Sequence, residues 1–213
     1  MNRVPVNAME NLLGQQPEKK AIKRREIVSK MTRTRFIKVE DALEIGKLRI
    51  YAGEYVPGQG QTVYAFHFMD IDDARVVFSD IADGRAVKYQ EYKGSALRQA
   101  QGAGHVSRML QVKSAAPPAS PPNMPGGSIQ GGGVDAYWFE LVTRPGQRMR
   151  TGAVKPAGEP TAQVSIGLKA HTARALAHAV LAYLRAAELA VQLGRMNDVH
   201  SSGEISVDVR SRE

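Results

Sequence analysis

The chain has 213 residues, 43% hydrophobic and 23% charged, a formal net charge of +8 and no cysteine. The apolar content is enough to bury a core, while the lack of cysteine excludes a disulfide framework and a thiolate metal site. A basic excess points to polyanions, nucleic acid first and an anionic membrane surface second. With no run approaching the roughly 18 apolar residues of a membrane span, the expectation is a soluble, unprocessed cytoplasmic protein that makes no membrane contact.

In chain order, residues 1–35 read as a basic, partly disordered arm. Between Pro17 and Lys38 lie nine basic residues, including Lys19, Lys20, Lys23, Arg24 and Arg25, against only Glu18 and Glu26. Such a block either grips a polyanion or solubilises the chain. Pro17 could open a short helix carrying Ile22, Ile27, Val28 and Met31, with a thin apolar face that orders only on a partner. From Phe36 the pattern changes to short runs with a period near two. In "KLRIYAGEY" (47–55) Leu48, Ile50 and Ala52 share one face, with Arg49 and Tyr51 on the other. "PGQGQ" (57–61) turns the chain into "TVYAFHFM" (62–69), which predicts a hairpin. "ARVVFSDIA" (74–82), "AVKYQEYK" (86–93) and "HVSRMLQVK" (105–113) are the next three strand-like runs.

Residues 114–133, "SAAPPASPPNMPGGSIQGGG", can bury almost nothing and read as a flexible insertion between two strands. "VDAYWFELVT" (134–143) and "TAQVSIGL" (161–168) complete the strands. The period then becomes helical over residues 169–193, with a stripe of Leu176, Val180, Leu184 and Ala187 or Val191, and Gly194 as the C-cap. Residues 195–213 form a polar tail in which "EISVDV" could add a strand. The predicted fold is α+β: an antiparallel sheet of six to eight strands packed on one long C-terminal helix, forming a single domain over 36–194.

Two chemistries compete for the stretch "KYQEYKGS" (88–95). A metal-dependent nuclease would use Glu91 and Lys93 with a carboxylate from Asp70, Asp72, Asp73, Asp80 or Asp83, the carboxylates holding a cation and the lysine orienting water. A single Glu-x-Lys is weak support, so this reading ranks third. "DIDDAR" (70–75) lacks the glycine and terminal glutamate of a calcium loop, "GAGHVS" (102–107) precedes a strand rather than a phosphate-binding helix, and the five histidines form no ligand pair. No cofactor, metal or catalytic residue is therefore assigned. A stacking surface for a single strand is the leading reading: aromatic rings hold bases at about 1–3 kcal/mol each while cations take the phosphates. Its candidates are Arg49, Tyr51, Lys88, Tyr89, Tyr92, Lys93, Arg108 and Trp138, with the basic arm. Phe66, Phe68, Phe78 and Phe139 are assigned to the core, because phenylalanine has no polar tip to keep in water.

The basic N-terminal region, the strands containing "GKLRIYAGEY" and "YAFHFMDIDDARVVFSDIA", and the unit "AQVSIGLKAHTARALAHAVLAYL" together resemble the layout of Whirly and Pur-type single-stranded nucleic-acid-binding proteins. The resemblance spans residues 35–193. It implies curled sheets backed by helices, single strands bound along sheet surfaces, and a homo-oligomer. The expected function is non-catalytic binding of single-stranded nucleic acid, DNA ahead of RNA, with little sequence specificity. The alternative is a protein-interaction or self-assembling structural module whose basic arm only solubilises it.

Overall fold

The computed structural model describes residues 24–96, 104–115 and 134–202, with side chains as far as Gly194. The first sheet has the order β1-β2-β3-β4, from β1 (Glu26–Met31), β2 (Arg35–Ala42), β3 (Lys47–Val56) and β4 (Gly60–Asp70). Helix α1 (Ile71–Ala82) follows it directly. The second sheet contains β5 (Lys88–Ala96), β6 (His105–Ala115), β7 (Ala136–Arg148), β8 (Val154–Pro156) and β9 (Ala162–Lys169), with both β8 and β9 pairing with β7. Helix α2 (Ala170–Ser202) closes the described chain. Strands followed by a helix thus occur twice in succession.

The class is α+β with antiparallel strands and a long C-terminal helix, but the nine strands seen among the described residues divide between two sheets. The inner faces of both sheets and the buried sides of both helices share one apolar core, including Ile37, Leu48, Ile50, Phe78, Leu110, Phe139, Ile166, Leu176 and Val180. The expected hairpin is present: β3 and β4 pair in antiparallel register, with Arg49 opposite Phe68 and Tyr51 opposite Phe66. Gly58 and Gly60 take positive φ at its turn, which admits glycine without strain. Residues 116–133, most of the expected insertion, lie outside the described residues; the strands on either side pair directly, with Ala115 opposite Ala136.

Three elements differ from expectation. The run 74–82 belongs to a helix, because its buried residues Ala74, Val77, Phe78 and Ile81 follow the helical period while Val76 is exposed. Asp72 and Asp73 in the first turn suit the positive end of that helix. Residues 26–31 form a strand instead of an extension of a short helix, since β2 offers an edge on which their backbone bonds are satisfied, and Ile27 and Val28 pack on the core. Finally, α2 runs through Gly194, whose φ is not positive, to Ser202. Its stripe is buried at Leu176, Val180 and Leu184, then ends: Leu189, Val191 and Leu193 are exposed. By length and composition alone, Ala170–Gly194 is apolar enough to cross a membrane, with mean hydropathy 1.2, contrary to the reading that no window qualifies. "EISVDV" lies outside the described residues.

Candidate nucleic-acid interface

Strand pleat decides which side chains reach the open face of the first sheet. On β4, Ala65, His67 and Met69 are buried, so Tyr64, Phe66 and Phe68 point to the other side. The register places Arg49, Tyr51 and Gly53 of β3 and Phe36, Lys38 and Glu40 of β2 on that same side. Five aromatic rings therefore share the sheet face opposite the shared core, where Phe36 is buried, Tyr51, Phe66 and Phe68 are half-buried and Tyr64 is exposed. Tyr51 stacks on Tyr64 with centroids 5.6 Å apart, and Phe36 lies 5.7 Å from Tyr51. A Cβ at residue 53 would come within 2.6 Å of the Phe36 ring, so the glycine lets that ring lie flat on the sheet.

Cations are threaded among these rings. The Arg49 guanidinium carbon lies 4.8 Å from the Tyr51 centroid and 4.4 Å from that of Phe66. Arg108 of β6 also approaches Phe66 at 4.4 Å, Arg24 approaches Phe68 at 5.2 Å, and Lys38 approaches Phe36 at 5.8 Å. These distances are within reach of cation–π attraction. Arg49 is also paired with Glu40 at 2.7 Å, Lys38 with Glu26 at 2.9 Å and Arg24 with Glu44 at 2.5 Å. Arg108 has no carboxylate partner among the described residues. Its Nη1 donates to Ser95 Oγ at 2.9 Å, and its Nε is buried without an acceptor. Burial, with the nearby Arg49 charge, holds the Arg108 pKa below its ordinary value.

The sequence candidates on the strands fall into three places. Arg49, Tyr51 and Arg108 meet around Phe66. Lys88, Tyr92 and Trp138 lie on the outer face of the second sheet, where Tyr92 and Trp138 are about half exposed, and Trp138 rests over Gly167. Tyr89 and Lys93 point inward into a polar cluster between the sheets. Arg25 is exposed beside Tyr183 at 5.6 Å, whereas Lys19, Lys20 and Lys23 lie outside the described residues. Phe78 and Phe139 are core as expected. Phe66 and Phe68 are not: they are half-buried on the open face, a correction whose cause is strand parity. Tyr64, Phe66, Phe68, Phe36 and Lys38 are the members that residue-by-residue reasoning missed. The signal was the alternation Tyr64, Phe66, Phe68 against Ala65, His67, Met69, which marks one face of β4 as wholly aromatic.

The inward cluster unites most of the nuclease candidates. Asp70, Asp73 and Glu91 can each bring a carboxylate oxygen within 4.8 Å of the others. Lys93 Nζ lies 2.5 Å from Asp70 and 2.9 Å from Glu91, Lys47 also pairs with Asp70, and Tyr89 donates to Glu91 at 2.9 Å. Fully buried His67 meets Glu91 at 2.8 Å through Nε2. Burial pushes the His67 pKa down, with Glu91 pushing back only in part. Burial pushes Glu91 up, but hydrogen bonds from Lys93, His67 and Tyr89 outweigh it and hold the carboxyl below its ordinary value. With its carboxylates already bonded to lysine, tyrosine and histidine, the cluster works as a clamp joining β4, α1 and β5. Asp72, Asp80 and Asp83 do not enter it; Asp80 and Asp83 pair with Arg85.

No family model matches the chain, and searches of curated proteins and of solved structures return no significant match either.

Proposed function

We propose that the protein binds single-stranded nucleic acid, DNA ahead of RNA, along the open face of the first sheet, with low sequence specificity and without catalysis. The observation that carries this reading is the set Tyr51, Tyr64, Phe66 and Phe68 on one face, backed by buried Phe36, with Lys38, Arg49 and Arg108 among the rings. Rings offer stacking to any base and the cations offer phosphate contacts, a combination that binds strands without reading base edges.

The test is fluorescence anisotropy of labelled single- and double-stranded oligonucleotides with the intact protein. Single strands are expected to bind more tightly than duplex. Tyr51→Ala and Tyr64→Ala are each expected to weaken them about tenfold, within the range for loss of one stacking ring. Binding that is indifferent to both substitutions, or that vanishes only when residues 1–23 are removed, would overturn the sheet as the site.

A homo-oligomer belongs to the same proposal. Val76 on α1 and Leu189, Val191 and Leu193 on α2 are exposed apolar side chains on helices that touch through Arg75 and Glu188. Sedimentation is expected to give an oligomer that Leu189→Glu combined with Leu193→Glu shifts to monomer. A wild-type monomer at micromolar concentration would count against it.

A further inference from the structure

Where the two sheets meet, a cleft of about 700 Å³ opens beside the aromatic face. One wall is β4, with Tyr64 and Phe66; the other is built from β6, the far end of β7 and the start of β9, with His105, Arg108, Thr143 and Arg144. Its size is within the range of small-molecule sites. Among the described residues its lining contains no aspartate, glutamate, asparagine or glutamine. The polar groups are thus arginine, histidine and hydroxyls, which suit an anion. Among the described residues β4 pairs with β3 alone, so its other edge has no strand partner there.

Arg108 makes this more than a basic hollow. Among the described residues it is a cation without a carboxylate partner, half-buried, with a buried Nε–H that finds no acceptor. That Nε–H lies too deep for a ligand to reach, so what Arg108 offers the cleft is the Nη edge of its guanidinium, where Nη1 already donates to Ser95 Oγ. A guanidinium fork matches phosphate oxygens. Tyr64, 52% exposed, gives the same cleft a ring on which a base can lie.

We propose that this cleft is a nucleoside-monophosphate site: the phosphate lies against Arg108 and Arg144, and the base lies over Tyr64. This goes beyond the open-face reading, because the cleft holds a single nucleotide and needs its charged phosphate. The nucleotide comes either from a strand end carrying a 5′-phosphate or from the free pool. With no amide or carboxylate side chain among the described lining residues to read a base edge, the four bases are expected to bind alike.

The test uses the full chain in two arms. In the first, titration calorimetry measures AMP, GMP, CMP and UMP against inorganic phosphate and adenosine. In the second, anisotropy compares oligothymidylates of about ten nucleotides with and without a 5′-phosphate, a length within the usual footprint of such proteins. If strand ends are the source, the 5′-phosphorylated oligonucleotide is expected to bind about tenfold tighter, and Arg144→Ala removes that difference. If free nucleotides are the source, mononucleotides bind and Arg144→Ala weakens them by a similar factor, while the two oligonucleotides bind alike. Thr62→Trp, at an exposed position in the lining, is a second variant that fills the cleft if Arg144→Ala fails to fold. Oligonucleotide binding that ignores the 5′-phosphate, together with no mononucleotide binding, overturns the cleft and leaves the open face standing. Mononucleotide binding without oligonucleotide binding does the reverse. Inorganic phosphate binding as tightly as AMP overturns the nucleotide assignment.

Discussion

Arg49 lies between two rings while one of its nitrogens holds Glu40, so its guanidinium plane is fixed by three neighbours. A lysine there would keep the charge but lose the planar stacking. Arg49→Lys is therefore expected to weaken single-strand binding about fivefold, as the loss of a cation–π arrangement of order 1 kcal/mol implies. The number of ions released, read from the salt dependence of affinity, should stay unchanged because the charge does.

His67 supports a second prediction at the same scale. Its pKa is lowered in the folded chain, so the unfolded chain takes up a proton first as pH falls. Stability contributed by neutral His67 is full above the ordinary value near 6.5 and is lost as pH drops from there toward the lowered folded value. Glu91 acts with the same sign at lower pH, because its folded pKa is also depressed. Urea midpoints are expected to fall between pH 7 and pH 5, and the His67→Gln variant to lose most of that slope. Glu91→Ala, which leaves Lys93 and His67 facing a gap, should cost about 3 kcal/mol. A Glu91 substitution that abolished a metal-dependent cleavage while leaving stability intact would revive the nuclease reading.

At the scale of elements, legibility followed the clarity of the period. β3 and β4 were readable because "KLRIYAGEY" alternates and a glycine turn follows; the α2 stripe was readable because Leu176, Val180 and Leu184 keep their spacing. α1 was not, since Val76, Val77 and Phe78 form a contiguous apolar run that fits a buried strand as well as a helix. The first sheet's open face was hidden for a related reason. Hydrophobicity alone sends Phe66 and Phe68 inward, yet the core accepted His67 and Met69 instead, which only the pairing partners decide. The clamp was visible as a list of carboxylates, but the convergence of Asp70, Asp73, Glu91 and Lys93 required β4, α1 and β5 to be placed. Helix and strand make opposite demands on α1: a strand would bury Val76 with Phe78 and expose Val77, whereas the helix buries Val77 with Phe78. Val76→Glu is expected to change stability by less than about 0.5 kcal/mol in a monomeric sample, as for ordinary surface positions. Val77→Glu should prevent folding, because it buries an unpaired charge. Thermal melts of the two variants check the pair.

For the whole molecule, the repeated succession of strands and helix suggests two units that could unfold separately, but the packing argues otherwise. Ile50 and Met69 of the first sheet, Phe139 and Ile166 of the second, Phe78 of α1 and Leu176 of α2 belong to one buried cluster, and the His67–Glu91 and Lys93–Asp70 bonds cross from β4 to β5. Neither sheet can be stripped away without exposing apolar surface and charged groups of the other. Unfolding should therefore be all-or-none. Trp138 fluorescence, which reports on the second sheet, is expected to change at the same urea concentration as far-UV circular dichroism, which reports on the whole backbone. The slowest amides of Ile50 in the first sheet and Phe139 in the second should exchange with the same opening free energy, while amides beyond Leu189 on the exposed part of α2 exchange faster. Two separated transitions would mean that the clamp and shared core are too weak to couple the halves. The cleft and the open face depend on that coupling, because Arg108 belongs to one sheet and Phe66 to the other.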